Sequence, residues 1–339
     1  MIKASWKKLT LNFKVPSGTS RGVLTQKDSW IISIWDDKKP HIIGLGEASI
    51  IKTLSPDWSV NFEDKVNWVC EHITGFITLD LHALNQFPSI QLAIETAVLD
   101  FRNGGFKKPF VSNFTENQVP IPINGLIWMG DKAFMKSQIE EKINTGFKCI
   151  KLKIGAIDFE TELEILKNIR SNYSATDIEL RVDANGAFSP NKALTKLNQL
   201  AKFNLHSIEQ PIKAGQISEM AELCLKTPLP IALDEELIGI TDLEAKRDLL
   251  TQIKPQYIIL KPSLIGGFNG TDQWIRLAQQ HHIDWWITSA LESNIGLNAI
   301  AQYTFTQNNI LPQGLGTGGL FTNNTATNLV VENGTLLIR

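Results

Sequence analysis

The chain has 339 residues, of which 43% are hydrophobic and 20% are charged. This composition is typical of a folded protein with a sizeable core, and it excludes a long disordered or collagen-like chain. The 33 Lys and Arg residues nearly balance the 35 Asp and Glu residues, for a formal net charge of -2. Since nucleic-acid binding depends largely on phosphate neutralisation, this balance gives no electrostatic basis for a nucleic-acid partner.

The cysteines and the N-terminus predict a reducing, non-membrane location. Cys70, Cys149 and Cys224 are odd in number and far apart, which is neither a disulfide framework nor a thiolate metal site. Residues 1–8 lack the apolar segment of a signal peptide, and no apolar run approaches the roughly 20 residues of a membrane helix. We therefore expect a cytoplasmic protein with no membrane partner.

The first part of the chain predicts a small antiparallel sheet. Residues 9–15 alternate between apolar and polar, as a half-buried strand does, and residues 16–22 have the composition of a loop. Further strands are predicted over residues 23–35 and 41–48. The residues after these strands have the apolar spacing of helices.

Two helices are predicted after these strands, over residues 62–77 and 89–101. In the second, Ile90, Ala93 and Ala97 repeat at intervals of three and four. Strands followed by helices predict an α+β unit at the N-terminus.

The remainder of the chain alternates between short apolar runs and helical stretches. Eight runs have midpoints 24 to 30 residues apart. They cover residues 122–126, 149–153, 179–183, 207–209, 231–234, 257–261, 285–289 and 312–316. Eight strands at so regular a step, with helices between them, predict an α/β fold with a (β/α)7β TIM-like barrel rather than an open sheet.

The C-terminal tail has no place inside such a barrel. Residues 320–339 are polar and then apolar again, so we expect them to return to the N-terminal unit. The predicted organisation is an α+β capping domain of residues 1–112 and 316–339 and a barrel domain of residues 113–315.

Three carboxylates stand at the ends of successive barrel strands. Asp183, Glu209 and Asp234 close the third, fourth and fifth apolar runs. The C-terminal ends of barrel strands meet at one face, where three carboxylates would repel one another unless a cation lay between them. All-oxygen ligands suit Mg²⁺ first and Mn²⁺ second. A lone Asp here is better explained as a helix N-cap, but three in register favour a metal site.

Three lysines accompany this cluster. Lys151 and Lys153 are two residues apart in a strand, so both point to the same face, and Lys261 ends the sixth strand. Lysine is rarely buried unless it is paired or functional. A lysine crowded by other cations has a lowered pKa and can remove a proton near neutral pH. The cluster therefore predicts removal of the proton next to a metal-chelated carboxylate of a small molecule, through an enediolate.

The motifs carrying these residues resemble those of the enolase superfamily, over nearly the whole chain. The similar stretches are residues 44–48 (GLGEA), 93–100 (AIETAVLD), 151–153 (KLK), 183–185 (DAN), 209–211 (EQP), 234–235 (DE) and 261–263 (KPS). The sixth-strand lysine is similar to that of the muconate-lactonising subgroup. The resemblance implies one Mg²⁺ held by Asp183, Glu209 and Asp234.

The resemblance also implies roles for individual side chains. Lys153 is expected to be the base, Lys261 to stabilise the enediolate and Lys151 to support the metal-bound carboxylate. We expect Asn185, Glu235 and Arg181 to assist the metal ligands without touching the metal.

Within the subgroup, residues 121–130, 288–296 and 314–319 resemble the o-succinylbenzoate synthase family most. That resemblance implies a syn dehydration, with N-acylamino-acid racemase and dipeptide epimerase as the alternatives. An epimerase is expected to hold its substrate's ammonium with Asp-x-Asp at the end of strand eight, where this chain has Gly316-Thr317-Gly318.

Candidate substrate contacts are Arg21, in a loop placed like the family's cap loop, together with Ser289, Ser293 and Gly316. No His-x-His ends a strand, and the glycine pairs lack a dinucleotide fingerprint, which argues against a zinc hydrolase and a nucleotide enzyme. A non-catalytic barrel that binds a small acid remains the alternative of another class. The oligomeric state is left open.

Overall fold

The computed structural model describes residues 1–19 and 22–339, and its N-terminal part is an antiparallel sheet. Strands β1 (Ile2–Thr19), β2 (Gly22–Asp36) and β3 (Lys39–Ile50) pair in that order. The loop predicted from residue 16 is wrong as far as residue 19, because β1 continues across it. The register of β1 against β2 shifts between Asn12 and Ser17, so Pro16 falls where the regular ladder is interrupted and a missing N–H is tolerated.

Three helices cover this sheet: α1 (Phe62–Glu71), α2 (Ile73–Phe76) and α3 (Pro88–Arg102). The single helix predicted over residues 62–77 is interrupted at His72, whose backbone leaves the helical region. The apolar face of α3 packs on the sheet so closely that a Cβ at Gly46 would lie 1.8 Å from the carbonyl oxygen of Ala93. Glycine is therefore required at this crossing, within the GLGEA stretch.

The remaining elements follow in chain order. The strands are β4 (Ile121–Pro122), β5 (Gly125–Ile127), β6 (Cys149–Lys153), β7 (Glu179–Asp183), β8 (Ser207–Glu209), β9 (Ile231–Leu233), β10 (Tyr257–Leu260), β11 (Asp284–Ile287), β12 (Leu329–Glu332) and β13 (Thr335–Ile338). The helices are α4 (Asn113–Glu116), α5 (Lys132–Asn144), α6 (Phe159–Asn172), α7 (Pro190–Leu200), α8 (Ile217–Lys226), α9 (Leu243–Ile253), α10 (Pro262–Ile265), α11 (Gly267–Gln280) and α12 (Asn294–Thr306). Short 3-10 helices cover His82–Leu84, Ala201–Phe203, Glu235–Leu237 and Gly318–Leu320.

Strands β5 to β11 form one curled parallel sheet in chain order, which confirms the predicted barrel. An eighth segment closes it. Gln313 bridges Ile123 beside the first strand, and Gly314 bridges Thr288 beside the last, both in parallel. Helices lie between successive strands, so the strand ends meet at a single mouth.

The C-terminal tail divides between two partners. Thr322 N donates to Asn12 O at 2.9 Å, and Asn323 Nδ2 donates to Thr10 O at 2.8 Å, so this part of the tail lies against β1. The hairpin of β12 and β13 instead pairs with β4, through Leu336 and Ile121. This differs from the expectation that the whole tail returns to the N-terminal unit. The two residues of β4 leave an open strand edge, which β13 covers.

No helix in the described part of the chain is long and apolar enough to cross a membrane.

Candidate active site

Three carboxylates lie side by side at the C-terminal ends of adjacent parallel strands. Asp183 ends β7 and Glu209 ends β8, and the two are paired in register. Asp234 directly follows β9. All three residues are at most 2% exposed. The structure therefore brings together the three carboxylates predicted from the strand ends.

Two lysines of β6 reach this cluster from one side. Lys153 Nζ donates to Asp183 Oδ2 at 2.5 Å, while Lys151 Nζ donates to the same oxygen at 3.1 Å and to Glu209 Oε2 at 2.7 Å. Both side chains are buried, and they point to the same face because they are two residues apart in the strand.

The third lysine reaches the cluster from another side. Lys261 directly follows β10, forms an ion pair with Asp234, and lies 4.0 Å from Glu209 Oε1. Three strands separate β10 from β6 in the sheet, so Lys261 and Lys153 approach the mouth from different directions. A small molecule at the mouth can thus have an amine on either side.

Burial and neighbouring charges act differently on the three lysines. Burial lowers the pKa of Lys153 and outweighs the attraction of Asp183, with the positive charge of Lys151 acting in the same direction as burial. Burial also acts on Lys151, but Glu209 and Asp183 outweigh it, and its pKa is raised. The pKa of Lys261 is raised in the same way by its carboxylate partner. Lys153 is therefore the one of the three best suited to be neutral and to accept a proton.

The carboxylates fit a hard divalent cation by their chemistry. Within residues 1–19 and 22–339, no group of three His, Cys, Asp or Glu side chains is drawn together closely enough to hold a metal ion, and the lysine ammonium groups pair with the carboxylates instead. Glu209 Oε1 is nevertheless buried and accepts no hydrogen bond among the described residues. Burial and the neighbouring Asp183 raise the pKa of Glu209 well above its ordinary value. Three carboxylates with one unsatisfied oxygen are ligands of the kind that Mg²⁺ takes.

Asn185 and Glu235 lie directly beside the lysine and carboxylate cluster. Lys153 Nζ donates to Asn185 Oδ1 at 2.8 Å, and Asn185 Nδ2 donates to Glu235 Oε1 at 3.0 Å. Asn185 has a φ of 44°, in the left-handed region that asparagine tolerates better than most residues. This backbone turn directs its side chain back toward Lys153.

Gln210 lies in the EQP stretch of the sequence analysis, which assigned it no role of its own. Its side chain is fully buried, and its Oε1 accepts from Asp234 N at 3.1 Å, while its Nε2 donates to Ile212 O at 3.0 Å. It thereby holds the start of the loop that carries Asp234. The available signal was the Gln-Pro pair immediately after Glu209.

Arg181 faces the barrel interior, at a lower level than the carboxylates. Its Nε donates to Glu179 Oε1 at 2.7 Å, and its guanidinium lies 4.2 Å from the ring centre of Trp286. Within the described residues its ion pair is with Glu179 rather than with Asp183. Residues two apart on a strand share a face but stand at different heights along the barrel, which separates Arg181 from the mouth.

A cavity of about 190 Å³ opens at the mouth, and we name it the lysine cavity. It is lined by Gly22, Val23, Leu24, Ile51, Thr53, Leu54, Asn124, Leu126, Trp128, Lys151, Lys153, Lys261, Thr288, Ser289, Ala290, Leu291, Gly314, Gly316 and Thr317. The charged residues of this lining, among those the structure describes, are the three lysines. Apolar side chains from β2 (Val23 and Leu24) and from β5 (Leu126) also line it.

The predicted substrate contacts are only partly brought to this cavity. Ser289 and Gly316 line it. Ser293 does not: it is the N-cap of α12, and it donates to Glu47 on β3. Its position just before a helix explains this, because serine is a favoured N-cap residue. Arg21 lies outside the described residues.

Three further residues to which the sequence reasoning assigned no role, Ser263, Glu292 and Thr317, form a hydrogen-bond network with Ser289, and of these Thr317 lines the cavity. Ser289 Oγ donates to Glu292 Oε2 at 2.6 Å, Ser263 Oγ donates to Glu292 Oε1 at 2.5 Å, and Thr317 Oγ1 donates to Ser289 Oγ at 2.9 Å. Glu292 is completely buried. The signal for it was its being the single charged residue between positions 286 and 303.

A larger cleft, of about 620 Å³, lies between residues 78–91 of the N-terminal unit and the starts of α9 and α11. It is lined by the buried Lys246, whose Nζ donates to Gln273 Oε1 at 2.8 Å. None of the predicted site residues that the structure describes lines this cleft. Because the reactive side chains converge on the lysine cavity, we place the chemistry there despite its smaller volume.

Strand-end carboxylates facing lysines at the mouth of a closed barrel define the enolase class of barrel proteins. Comparison with known proteins agrees. The family model described as enolase C-terminal domain-like matches residues 135–339. The chain belongs to this family.

Individual relatives are similar over the whole chain. It is 46% identical to o-succinylbenzoate synthase from Desulfotalea psychrophila, covering 99% of this chain and 98% of the relative. The crystal structure of MenC from that organism superposes with a TM-score of 0.87 at 43% identity, covering 99% of both chains. A dipeptide epimerase from Enterococcus faecalis, solved with Mg and the dipeptide L-Leu-L-Tyr, superposes with a TM-score of 0.86 at 19% identity, covering 100% of this chain and 97% of its own. At that identity the epimerase shows the shared fold.

Proposed function

We propose that the protein catalyses the o-succinylbenzoate synthase reaction, a hydro-lyase step of menaquinone biosynthesis. It would dehydrate 2-succinyl-6-hydroxy-2,4-cyclohexadiene-1-carboxylate to 2-succinylbenzoate. The observation that carries this proposal is the lining of the lysine cavity, which in the described part of the chain presents the amines of Lys151, Lys153 and Lys261 and no carboxylate. A substrate with two carboxylates and no cationic group suits such a cavity. The 46% identity to an o-succinylbenzoate synthase supports the same substrate.

Lys153 is the proposed base. Its lowered pKa favours the neutral amine, which takes the proton from the ring carbon that bears the carboxylate. The electrons of that C–H bond form the enediolate. As the neighbouring C–O bond breaks and the ring becomes aromatic, Lys153 returns its proton to the departing hydroxide, which leaves as water. One lysine serving both steps gives a syn elimination.

Lys261 and Lys151 are proposed to stabilise charge. Their raised pKa values keep both amines protonated, so they present fixed positive charge to the enediolate and the substrate carboxylate. In this reaction Lys261 does not need to move a proton.

Asp183, Glu209 and Asp234 would hold Mg²⁺, with Mn²⁺ as a substitute. Bound there, the ion would supply Lewis-acid charge that lowers the pKa of the proton next to a substrate carboxylate. Asn185 and Glu235 support this arrangement by holding Lys153 beside Asp183.

A racemase of N-acylamino acids is the second candidate. Its substrate also lacks a cationic group, so the charge of the lysine cavity does not disfavour it, and lysines on two sides could exchange a proton. A dipeptide epimerase is less well supported, because the ammonium of a dipeptide would meet lysines and the uncharged stretch Gly316-Thr317-Gly318.

The decisive experiment is a spectroscopic assay of the cyclohexadiene's dehydration with Mg²⁺, beside the Lys153→Ala variant. We expect rapid turnover by the wild-type protein and a fall of about 1,000-fold in the variant, the scale of a lost general base. Lys246→Ala is the matched control, since it removes a buried lysine outside the cavity. Folded wild-type protein that binds Mg²⁺ but does not turn over this substrate contradicts the proposal. Deuterium uptake by N-acyl amino acids would then favour the racemase.

We further propose the division into a capping domain of residues 1–112 and 316–339 and a barrel domain of residues 113–315. The contacts of Thr322 and Asn323 with β1 support it, whereas the β12–β13 hairpin lies with β4 at the barrel. We also propose a cytoplasmic location, supported by Cys70, Cys149 and Cys224 all being free thiols.

A further inference from the structure

Two buried carboxylates of the N-terminal unit accept hydrogen bonds from the first turns of barrel helices. Glu47 on β3 meets the start of α12, and Glu95 on α3 meets the start of α11. A helix N-terminus presents unpaired N–H groups and partial positive charge, so an acidic side chain is a favourable partner. These two contacts fix the N-terminal unit to the barrel at two separate points.

Glu47 uses its full hydrogen-bonding capacity at this contact. Its Oε1 accepts from Ser293 N at 2.8 Å and from Ser29 Oγ at 2.7 Å. Its Oε2 accepts from Gly296 N at 2.9 Å and from Ser293 Oγ. The side chain is 1% exposed. A Cβ at Gly296 would lie 2.9 Å from Glu47 Oε2, so the approach depends on glycine at that position.

The residues just before α12 form one wall of the lysine cavity. Within the segment of residues 288–293, Ser289 and Leu291 line the cavity, and Leu291 N donates to Ser289 Oγ at 2.9 Å. Leu291 has a φ of 64°, which is unfavourable for a bulky side chain and persists only where surrounding contacts impose it. Ser293, which Glu47 contacts, follows this strained residue by two positions in the sequence.

We infer that Glu47 is a positioning residue for the substrate: it holds the 288–293 segment in the conformation that places Ser289 and Leu291 against the cavity. This inference rests on the proposed function for its kinetic readout. Glu47 does not touch the cavity, and it acts through Ser293 and the strained turn at Leu291. The N-terminal unit thus shapes the substrate site through the barrel's own loop, in addition to the residues it contributes directly.

Glu95 provides a matched control. It accepts from Phe268 N at 2.5 Å and from Asn269 N at 3.0 Å, so it makes the same kind of contact at a helix start. Neither Phe268 nor Asn269 lines the lysine cavity. If KM depends on docking of the N-terminal unit in general, variants of both residues should change it. If KM depends on the position of the 288–293 segment, only the Glu47 variant should change it.

The test compares Glu47→Gln with Glu95→Gln. Glutamine keeps the size of the side chain but places an NH₂ where two donors now point. We expect Glu47→Gln to raise KM by about tenfold, or about 1.4 kcal/mol of substrate binding, with kcat within about threefold. Glu95→Gln should leave KM within about twofold. We also expect Glu47→Gln and Ser289→Ala to be non-additive in KM, because coupled residues share one effect.

Amide hydrogen exchange gives a second readout that does not need the activity. The 288–296 region should lose protection in Glu47→Gln and keep it in Glu95→Gln. Equal KM changes in the two variants, additivity with Ser289→Ala, or unchanged exchange in this region would each overturn the inference. Wild-type protein without dehydratase activity would instead count against the proposed function, with the exchange result still deciding the role of Glu47. If Glu47→Gln does not fold, Ser293→Ala removes one of the four donors and takes its place.

Discussion

Lys153 and Asp183 are register partners on adjacent parallel strands, and Lys153 Nζ donates to Asp183 Oδ2 at 2.5 Å. The pairing holds the proposed base next to a proposed metal ligand at one height of the barrel. Since Asn185 Oδ1 accepts a second hydrogen bond from the same Nζ, the orientation of Lys153 is fixed before any substrate arrives. Such preorganisation is what a positioned base requires.

Lys261 is predicted to act through charge alone. Arginine cannot lose its proton in a protein, so Lys261→Arg keeps the charge and removes any proton transfer. We expect Lys261→Arg to retain dehydration within about tenfold, and Lys261→Ala to lose on the order of 100-fold, the scale of a lost electrostatic contact in a transition state. Steady-state rates measure both. Lys153→Arg is the control and should be inactive; a Lys261→Arg variant equally inactive would mean that Lys261 moves a proton.

Gln210 is predicted to tune metal affinity without binding the metal. Its Oε1 holds the backbone N–H of Asp234, so Gln210→Met should weaken Mg²⁺ binding about 10- to 100-fold, as losses of supporting contacts at metal sites do. Calorimetric titration measures this affinity directly. Gln279→Met, on the exposed face of α11, is the control and should not change it.

The same site predicts that Mg²⁺ stabilises the fold. At 100 times its dissociation constant, an ion that binds only the folded state adds about 2.7 kcal/mol to the free energy of unfolding. Thermal unfolding with Mg²⁺, and after its removal by EDTA, measures this difference. An unfolding temperature that does not respond to Mg²⁺ would contradict the predicted metal site.

The lack of a side chain at Gly316 is predicted to let the site accept an anionic substrate group at the end of strand eight. A Cβ there would lie 3.4 Å from the flexible end of Ile123, so a side chain fits with little disturbance. Gly316→Asp should lower the rate with the dianionic cyclohexadiene on the order of 100-fold, because like charges at close range cost several kcal/mol.

The control is Gly316→Asn, whose side chain has nearly the same shape but no charge. Without like-charge repulsion, its rate with the cyclohexadiene should fall less than about tenfold. Deuterium uptake by a dipeptide should appear only in the aspartate variant. Equal losses in the two variants would show that bulk rather than charge decides the effect.

Asp57 is predicted to make stability depend on pH. It accepts from Ser89 N at 3.0 Å and Ser89 Oγ at 2.5 Å, which caps α3 where Phe87 has no capping side chain. Burial raises the pKa of Asp57 from 3.8 to about 6. Between these values the unfolded chain has lost this proton while the folded chain retains it. The free energy of unfolding should therefore fall as pH rises from about 4 to 6, by up to about 3 kcal/mol, and then level off for this group.

Urea unfolding across this range measures the slope. Asp57→Asn keeps an accepting oxygen for Ser89 and removes the titration, so its stability should vary less with pH than that of the wild-type protein. Asp36→Asn, at a partly exposed surface ion pair, is the control. An unchanged slope in Asp57→Asn would contradict the raised pKa.

The sequence by itself determined the barrel and its reactive mouth. Eight apolar runs at a regular step specify strand order locally, and the residue that ends each strand reaches the mouth by the geometry of a closed barrel. The positions of Asp183, Glu209 and Lys261 at the mouth therefore follow from the sequence alone. Arg181, which was expected to assist the metal ligands, lies lower in the barrel, because height along a strand also decides what a side chain meets.

Only the tertiary structure decided which distant groups complete the site. Glu47 meets Ser293 across 246 positions of the chain, and Glu292 meets Ser263 through a packed turn. No local periodicity encodes such pairs. They arise because a buried carboxylate must find donors wherever the folded chain supplies them. The same requirement made Ser293, which the sequence suggested as a substrate contact, a link between the N-terminal unit and the barrel.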